Sequence, residues 1–152
     1  MESIRFVKKE EMNELLELYK YLHSNDLPLP PNEKLETIWE ELMSNPLLRY
    51  FVLVFDRKFV SSCALSIIPN LTRGARPYAL IENVVTHEKF RRNGYATKVL
   101  KNALEYAWKN QCYKVMLLTG SKNQGIHEFY EKVGFRKDIK IGFHAQNRNL
   151  DY

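Results

Sequence analysis

The stretch "YALIENVVTHEKFRRNGYATKVLKNALEYAWKNQCYKVMLLTG" (Tyr78–Gly120) decides the fold. It opens on a β-rich run, Tyr78–Thr86, and closes on "YKVMLLTG", a run so uniformly apolar that it suits the middle of a sheet. Between them Val99, Leu100, Ala103, Leu104 and Ala107 recur at helical spacing. Lys98, Lys101, Asn102, Glu105 and Lys109 take the opposite, watered side. Strand, helix and strand in one sheet require a right-handed crossover to a parallel neighbour. The helix also begins oddly, with two arginines, an asparagine and a lone glycine at its mouth. A helix N-terminus exposes unpaired N–H groups and about half a positive charge. A glycine there lets an anion approach the backbone. The same residues also suit a solvated loop with a glycine at the helix start. The pattern lacks the Lys-Ser/Thr of a nucleoside-triphosphate loop and has too few glycines for a dinucleotide fold.

Working outward, "SIRFVKK" (Ser3–Lys9) reads as a first strand, and "EEMNELLELYKYLH" as a helix with Met12, Leu15, Leu16, Tyr19 and Leu22 on one face. "SNDLPLPP" ends that helix, because prolines at 28, 30 and 31 cannot continue it. A second helix spans Glu33–Ser44, with Leu35, Ile38, Trp39 and Leu42 on one side. "RYFVLVF" and "FVSSCALSII", separated by "DRK", form a hairpin. After the decisive stretch come a short helix, "QGIHEFYEKV", stopped at Gly134, and a last strand, "FRKDIKIGFHAQ". The order β-α-α-β-β-β-α-β-α-β predicts an α/β (α+β) fold: a mixed, mostly antiparallel sheet with a central parallel pair, flanked by helices. The expectation is a single domain over 1–152.

Hydrophobic residues make up 45% and charged residues 27%, a globular composition. No apolar run approaches the roughly 18 residues of a membrane span, and the N-terminus has no signal-peptide core. These features predict a soluble, cytoplasmic protein with no membrane partner. Cys63 and Cys112 stand apart, each in a hydrophobic run and with no Cys-x-x-Cys or Cys/His cluster, so they read as buried free thiols and no metal site is expected. The net charge of +5 is modest and spread out, and no nucleic-acid reading motif accompanies it.

Arg91-x-x-Gly94-x-Ala96, followed by "NQGIHEFYEKVGF" (Asn123–Phe135), resembles the two ordered signatures of the GNAT superfamily of acetyl-coenzyme A-dependent N-acetyltransferases. The likeness in spacing and element order covers roughly Tyr78–Arg136; the first half agrees only in its order of strands and helices. The resemblance implies that acetyl-coenzyme A lies between the "YALIENVVT" and "YKVMLLTG" strands. Backbone groups of Val84, Val85 and Thr86 would pair with the pantetheine arm. Arg91 and the amides of Arg92, Asn93, Gly94, Tyr95, Ala96 and Thr97 would hold the pyrophosphate. Asn123, with Phe129 and Lys132 of the "FYEK" helix, would line the thiol end.

Acetylation of an amine sets two chemical demands. At neutral pH an amine with a pKa of about 10.4 is almost wholly protonated, a deficit of roughly 4 to 5 kcal/mol. Glu82 is the candidate base, through a water; strict alternation would put it on one face with Val84. The alternative is a structural carboxylate. Tyr130 stands where the family often has its general acid for the thiolate, or else packs with its hydroxyl at the rim. The Val84 amide could meet charge on the thioester oxygen. Direct transfer needs no covalent intermediate, so neither cysteine is required. His87 and His127 read as structural.

The nearest detailed likeness is to the glucosamine-6-phosphate N-acetyltransferase branch, in "LIENVV", "CYKVMLL" and "FYEKVGF". That branch has an acid where Asn83 stands and another near Leu118, so the amino sugar does not carry over directly. Asn83, Arg73 and Arg76 are the candidate acceptor contacts; the arginines could grip an acidic substrate or face solvent. The reading is transfer of acetyl from acetyl-coenzyme A to a small-molecule primary amine. A protein or peptide acceptor is the alternative, followed by a non-catalytic coenzyme- or nucleic-acid-binding module. Homodimers are common in the family, but the sequence carries no interface signature.

Overall fold

In a computed structural model, which describes residues 1–147, one compact unit runs from Met1 to Leu117 and a second begins at Leu118. The first holds five strands: β1 (Glu2–Phe6), β2 (Leu48–Phe55), β3 (Lys58–Ile68), β4 (Tyr78–Thr86) and β5 (Val115–Leu117). They lie in the order β1-β2-β3-β4-β5, antiparallel except for the parallel β4–β5 pair. The mixed sheet and its parallel crossover are therefore as expected. The β2–β3 hairpin turns on Asp56 (φ 46) and Arg57 (φ 65), the two positive φ values that match the twist of the flanking strands.

Cross-strand register divides the sheet into two faces. Val52 pairs with Ser62, and Tyr50 with Ala64. Val52, with Tyr50 and Val54, packs against Val7 and against Leu15 of α1 (Met12–Tyr19) and Trp39 of α2 (Asn32–Ser44). The opposite face carries Phe51, whose ring meets Tyr106 of α3 (Tyr95–Lys109) edge-on at 5.7 Å. In α3 Val99, Leu100, Ala103 and Ala107 are buried, the stripe that its spacing predicts.

Two polar devices fix the helices on the first face. Glu11, in a short 3-10 turn before α1, accepts two bonds from the Arg5 guanidinium, at 2.7 and 2.6 Å, and one from the Lys8 amide at 2.8 Å. The Arg5 guanidinium holds the Glu11 carboxyl below the usual carboxylate range. The Trp39 indole donates to the Lys9 carbonyl at 2.7 Å and so ties α2 to the start of α1.

The second unit contains α4 (Gln124–Val133), closed by Gly134 at φ 123. The expected strand over 135–146 is not present: none of those residues is in a strand. Its alternating apolar residues bury no face, with Ile139, Ile141 and Phe143 57%, 83% and 93% exposed. Asp138 at φ 64 breaks the extended run. Period-two alternation makes a strand only where a partner edge takes up its hydrogen bonds. The parallel pair accordingly stands at the end of the strand order rather than in its middle. β5 is also shorter than the run Tyr113–Gly120 suggested, only Val115–Leu117.

Candidate functional site

β4 pairs with β5 only from Ala79 to Ile81. Beyond Ile81 it keeps its antiparallel partner β3, but its other edge has no strand beside it among the described residues. Ser62 faces Val85 and Ala64 faces Glu82, so Cys63 is spanned by both Asn83 and Val84. This is a β-bulge, and Asn83 occupies it at φ 53. Asparagine is one of the few side chains that tolerate the left-handed region. The bulge overturns the alternation expected of Glu82 and Val84. Glu82 shares its face with Val85, on the Tyr50–Ala64 side that carries α1 and α2. Glu82 and Asn83 are consecutive exposed residues in a strand whose neighbours are buried or half-buried.

The end of β4 is already hydrogen-bonded. The buried Ser61 hydroxyl donates to the Val85 carbonyl at 3.0 Å and lies 2.9 Å from the Thr86 hydroxyl. Arg91 Nε donates to the Thr86 carbonyl at 3.2 Å. A ligand running along this edge would use the second lone pair of these carbonyls or their neighbours' groups.

The loop to α3 is built as a cradle. A 3-10 turn over Glu88–Phe90 is capped by His87, whose Nδ1 accepts from the Lys89 amide at 3.2 Å. The Asn93 side chain donates to the Phe90 and Arg91 carbonyls at 3.1 and 3.2 Å. Arg92 (φ 65) and Gly94 (φ 75) are both left-handed, and no side chain caps the helix at Gly94. The first amides of α3, at Tyr95, Ala96 and Thr97, therefore have neither a helical partner nor a side-chain cap. A Cβ built at Gly94 meets nothing within 4 Å, so φ requires the glycine there and the space above it is open. Neither Arg91 nor Arg92 forms an ion pair among the described residues. Phe90 and Tyr95 pack on Phe55, each 6.0 Å between ring centroids, and Tyr21 stacks 4.3 Å from His87. These aromatics seat the loop. Unopposed charge, bare amides and open space together fit a diphosphate.

Behind Asn83 lies a residue that sequence reasoning placed only in the core, Tyr19. Burial pushes its phenol above the ordinary tyrosine range, and the Asn83 amide is close enough to offset part of that effect. No group among the described residues completes a hydrogen bond to its buried hydroxyl. Arg73 and Arg76 are not brought to Asn83. Arg76 Nε donates to the Arg73 carbonyl at 3.1 Å, and its guanidinium lies 5.9 Å from the Tyr113 ring centroid. That is the far end of β4, about 20 Å along the strand from Asn83. Arg73, Gly74 and Ala75 turn left-handed in succession, at φ 58, 71 and 56.

In the second unit the Asn123 side chain caps α4, accepting from the Gly125 amide at 2.8 Å. His127 Nε2 lies 2.7 Å from the Ser121 carbonyl, a structural contact. Tyr130 is half-buried between Phe129 and Phe135, at ring-centroid distances of 5.0 and 6.1 Å, while Lys132 is exposed. Cys63 and Cys112 are both buried free thiols.

The model of the acetyltransferase (GNAT) family matches residues 10–135, most of the chain and both units. The chain belongs to the GNAT family. The Trypanosoma brucei brucei glucosamine 6-phosphate N-acetyltransferase is 37% identical to this GNAT chain over 79 residues, 52% of this chain and 52% of that protein. An uncharacterized N-acetyltransferase of Methanocaldococcus jannaschii is 30% identical over 146 residues, 93% of this chain and 64% of that protein. The chain thus spans about half and just under two thirds of these relatives. A solved Agrobacterium tumefaciens structure assigned to the acetyltransferases is 42% identical with a TM-score of 0.89, covering 95% of this chain and 99% of that one. Members of the family use acetyl-coenzyme A.

The bulge had a sequence signal: "EN" interrupts the apolar run of "LIENVV" with two polar residues in succession, and one is an asparagine. The unsatisfied Tyr19 hydroxyl had none, because helical spacing reports the ring's direction and not what its oxygen meets.

Proposed function

We propose that the chain is an acetyl-coenzyme A-dependent N-acetyltransferase acting on a primary amine of a small molecule, its two units serving one catalytic domain. The observation that carries this is the edge of β4 after Ile81, unpaired among the described residues, leading through Arg91 and Arg92 into the uncapped amides of α3. Main-chain groups of Val84 to Thr86 would receive the pantetheine arm, and the amides from Arg92 to Thr97 the diphosphate. Bound coenzyme supplies a thioester carbonyl open to attack. The amine nitrogen forms a bond to that carbon and the carbon–sulfur bond breaks. The amine gives up one proton and the thiolate takes one.

Glu82 is exposed on the α1–α2 face of the sheet, where a water can relay the amine proton to it. Tyr130 is the proposed donor to sulfur, Val84 the amide for the carbonyl oxygen, and Asn123, Phe129 and Lys132 the lining of the thiol end. Arg73 and Arg76 lie at the other end of β4, where Arg76 is held by the Arg73 carbonyl, and are assigned no part in holding the amine.

Thiol release from acetyl-coenzyme A with a panel of amines tests the proposal. Glu82→Gln should lower kcat at pH 7 at least tenfold with coenzyme affinity retained, and Tyr130→Phe should slow the chemical step. Failure of the purified protein to bind acetyl-coenzyme A at micromolar concentration would overturn the assignment.

A further inference from the structure

The loop that leads into α3 holds a reactive pair that anion binding does not use: Asn93 is the one asparagine in the chain followed by glycine. Asparagine is among the thermolabile residues, because its side-chain carbonyl carbon lies within reach of the next residue's amide nitrogen. A following side chain shields that nitrogen, and glycine has none. A Cβ built at Gly94 meets nothing within 4 Å, so no neighbour shields it either. Asn93 and Gly94 are both exposed, and the Gly94 N–H has no hydrogen-bond acceptor among the described residues. Asn83 is the contrast: it too is exposed, but Val84 follows it, and the branched side chain crowds the nitrogen.

The surroundings favour reaction between the two residues. The Gly94 nitrogen attacks as an anion, and negative charge then moves onto the Asn93 side-chain oxygen. Both charges arise at the mouth of α3, where Tyr95, Ala96 and Thr97 present uncapped amides and Arg91 and Arg92 form no ion pair among the described residues. The features that suit a diphosphate therefore also stabilise this anion. Asn93 Nδ2 donates to the Phe90 and Arg91 carbonyls at 3.1 and 3.2 Å, while Oδ1 has no partner among the described residues, so the carbon between them stays open to attack.

We propose that Asn93 is a site of spontaneous deamidation, and that the change disables the cradle when it stands empty. The Gly94 nitrogen forms a bond to Asn93 Cγ, the Cγ–Nδ2 bond breaks, and the proton from the Gly94 nitrogen leaves with ammonia. Water then opens the cyclic imide at either carbonyl, leaving aspartate or isoaspartate at position 93; nothing is oxidised or reduced. A carboxylate only accepts hydrogen bonds, so the bonds to the Phe90 and Arg91 carbonyls are lost. It also sets a negative charge beside the place for an anion, and isoaspartate lengthens the main chain by one carbon just before the left-handed Gly94. Bound coenzyme would engage the Gly94 amide and halt the reaction. That protection rests on the transferase reading above, whereas the deamidation rests on the loop alone.

The test incubates the full chain at pH 8 and 37 °C, with and without saturating coenzyme A, and maps its peptides by mass spectrometry. Asn93 should gain one mass unit, partly as isoaspartate, at least tenfold faster than Asn83 or any other asparagine, and coenzyme A should slow the gain at least fivefold. The altered fraction has one more negative charge and separates by ion exchange. It should bind coenzyme A at least tenfold more weakly than fresh protein, with an unchanged circular dichroism spectrum. An Asn93 rate no higher than that of the other asparagines overturns the proposal, as does a separated fraction that binds coenzyme A as tightly as fresh protein. Rapid deamidation without protection by coenzyme A keeps the modification site and removes the diphosphate from Gly94. Should fresh protein not bind coenzyme A at all, the transferase reading falls, and the deamidation rates still decide whether Asn93 is the site.

Discussion

Replacing Tyr19 by phenylalanine removes one buried oxygen and should stabilise the fold. The hydroxyl is buried without a completed hydrogen bond, while the ring packs with the Val7–Leu15–Trp39–Val52 cluster. A buried polar group left unsatisfied costs about 1 to 3 kcal/mol. The residue as a whole is half-buried and Asn83 relieves part of the burden, so the lower figure applies. Tyr19→Phe should therefore stabilise the fold by about 1 kcal/mol at pH 7, a rise in Tm of roughly 2 to 4 °C. The pH dependence has a definite sign. Because burial raises the folded pKa, the unfolded chain loses the Tyr19 proton first, near pH 10. The wild type holds that contribution below pH 10 and loses it as pH rises, by up to about 1.4 kcal/mol per unit. The variant has no such loss, so its advantage should widen between pH 9 and 11. Urea unfolding across that range, followed by circular dichroism, measures it. A destabilisation above 1 kcal/mol at pH 7, or a gap that does not change with pH, would show that the oxygen already has a good partner.

Gly94→Ala should cost about 1 to 2 kcal/mol, from its φ of 75 rather than from crowding, and should weaken coenzyme binding measured by calorimetry. Glu11→Gln should lose about 1 kcal/mol at pH 7, discounted because Arg5 is 32% exposed. Since Arg5 lowers the Glu11 pKa, that contribution is present above the unfolded value near 4.5 and fades as pH falls through the lower folded value, so urea midpoints of the two proteins should converge by pH 2 to 3. Burial raises the Cys63 thiol to about 12, so at pH 8 iodoacetamide should label it only after urea unfolds the chain, and labelling of the native protein would contradict the packing.

Much of the fold was legible because it depends on periods. A β-rich run marked β4 to the residue, Tyr78–Thr86, and the helical spacing from Val99 to Ala107 gave the buried face of α3. The positively charged helix mouth was legible for the same local reason: glycine at a left-handed position and arginines beside it act over a few residues. The segment after Gly134 failed because alternation states what a strand could bury and not whether an edge is there to receive it. Arg73 and Arg76 stand apart from Asn83 because proximity in the sequence is stretched out by a strand rising about 3.3 Å per residue. Tyr19 and Asn83, 64 positions apart, meet only through the packing of α1 on β4, which no local pattern encodes.

The bulge joins these strands of argument. Pairing with β5 stops at Ile81, and two residues later Asn83 inserts its extra position opposite Cys63. A bulge bends its strand and strengthens the local twist, which carries the remainder of β4 away from a straight parallel neighbour. The same insertion shifts the phase of the side chains beyond it, so that Val85 rather than Val84 joins Glu82 on the α1–α2 face, and it sets Asn83 beside Tyr19. One residue in the left-handed region thus opens a main-chain edge for a linear ligand and gathers polar groups where that edge begins. A regular strand could not do both: continued pairing would close the edge, and uninterrupted alternation would put Val84 in place of Val85 on the face that Glu82 shares. The cost of holding an asparagine at φ 53 is modest beside those two effects, and it falls at the place where the geometry departs from a plain sheet.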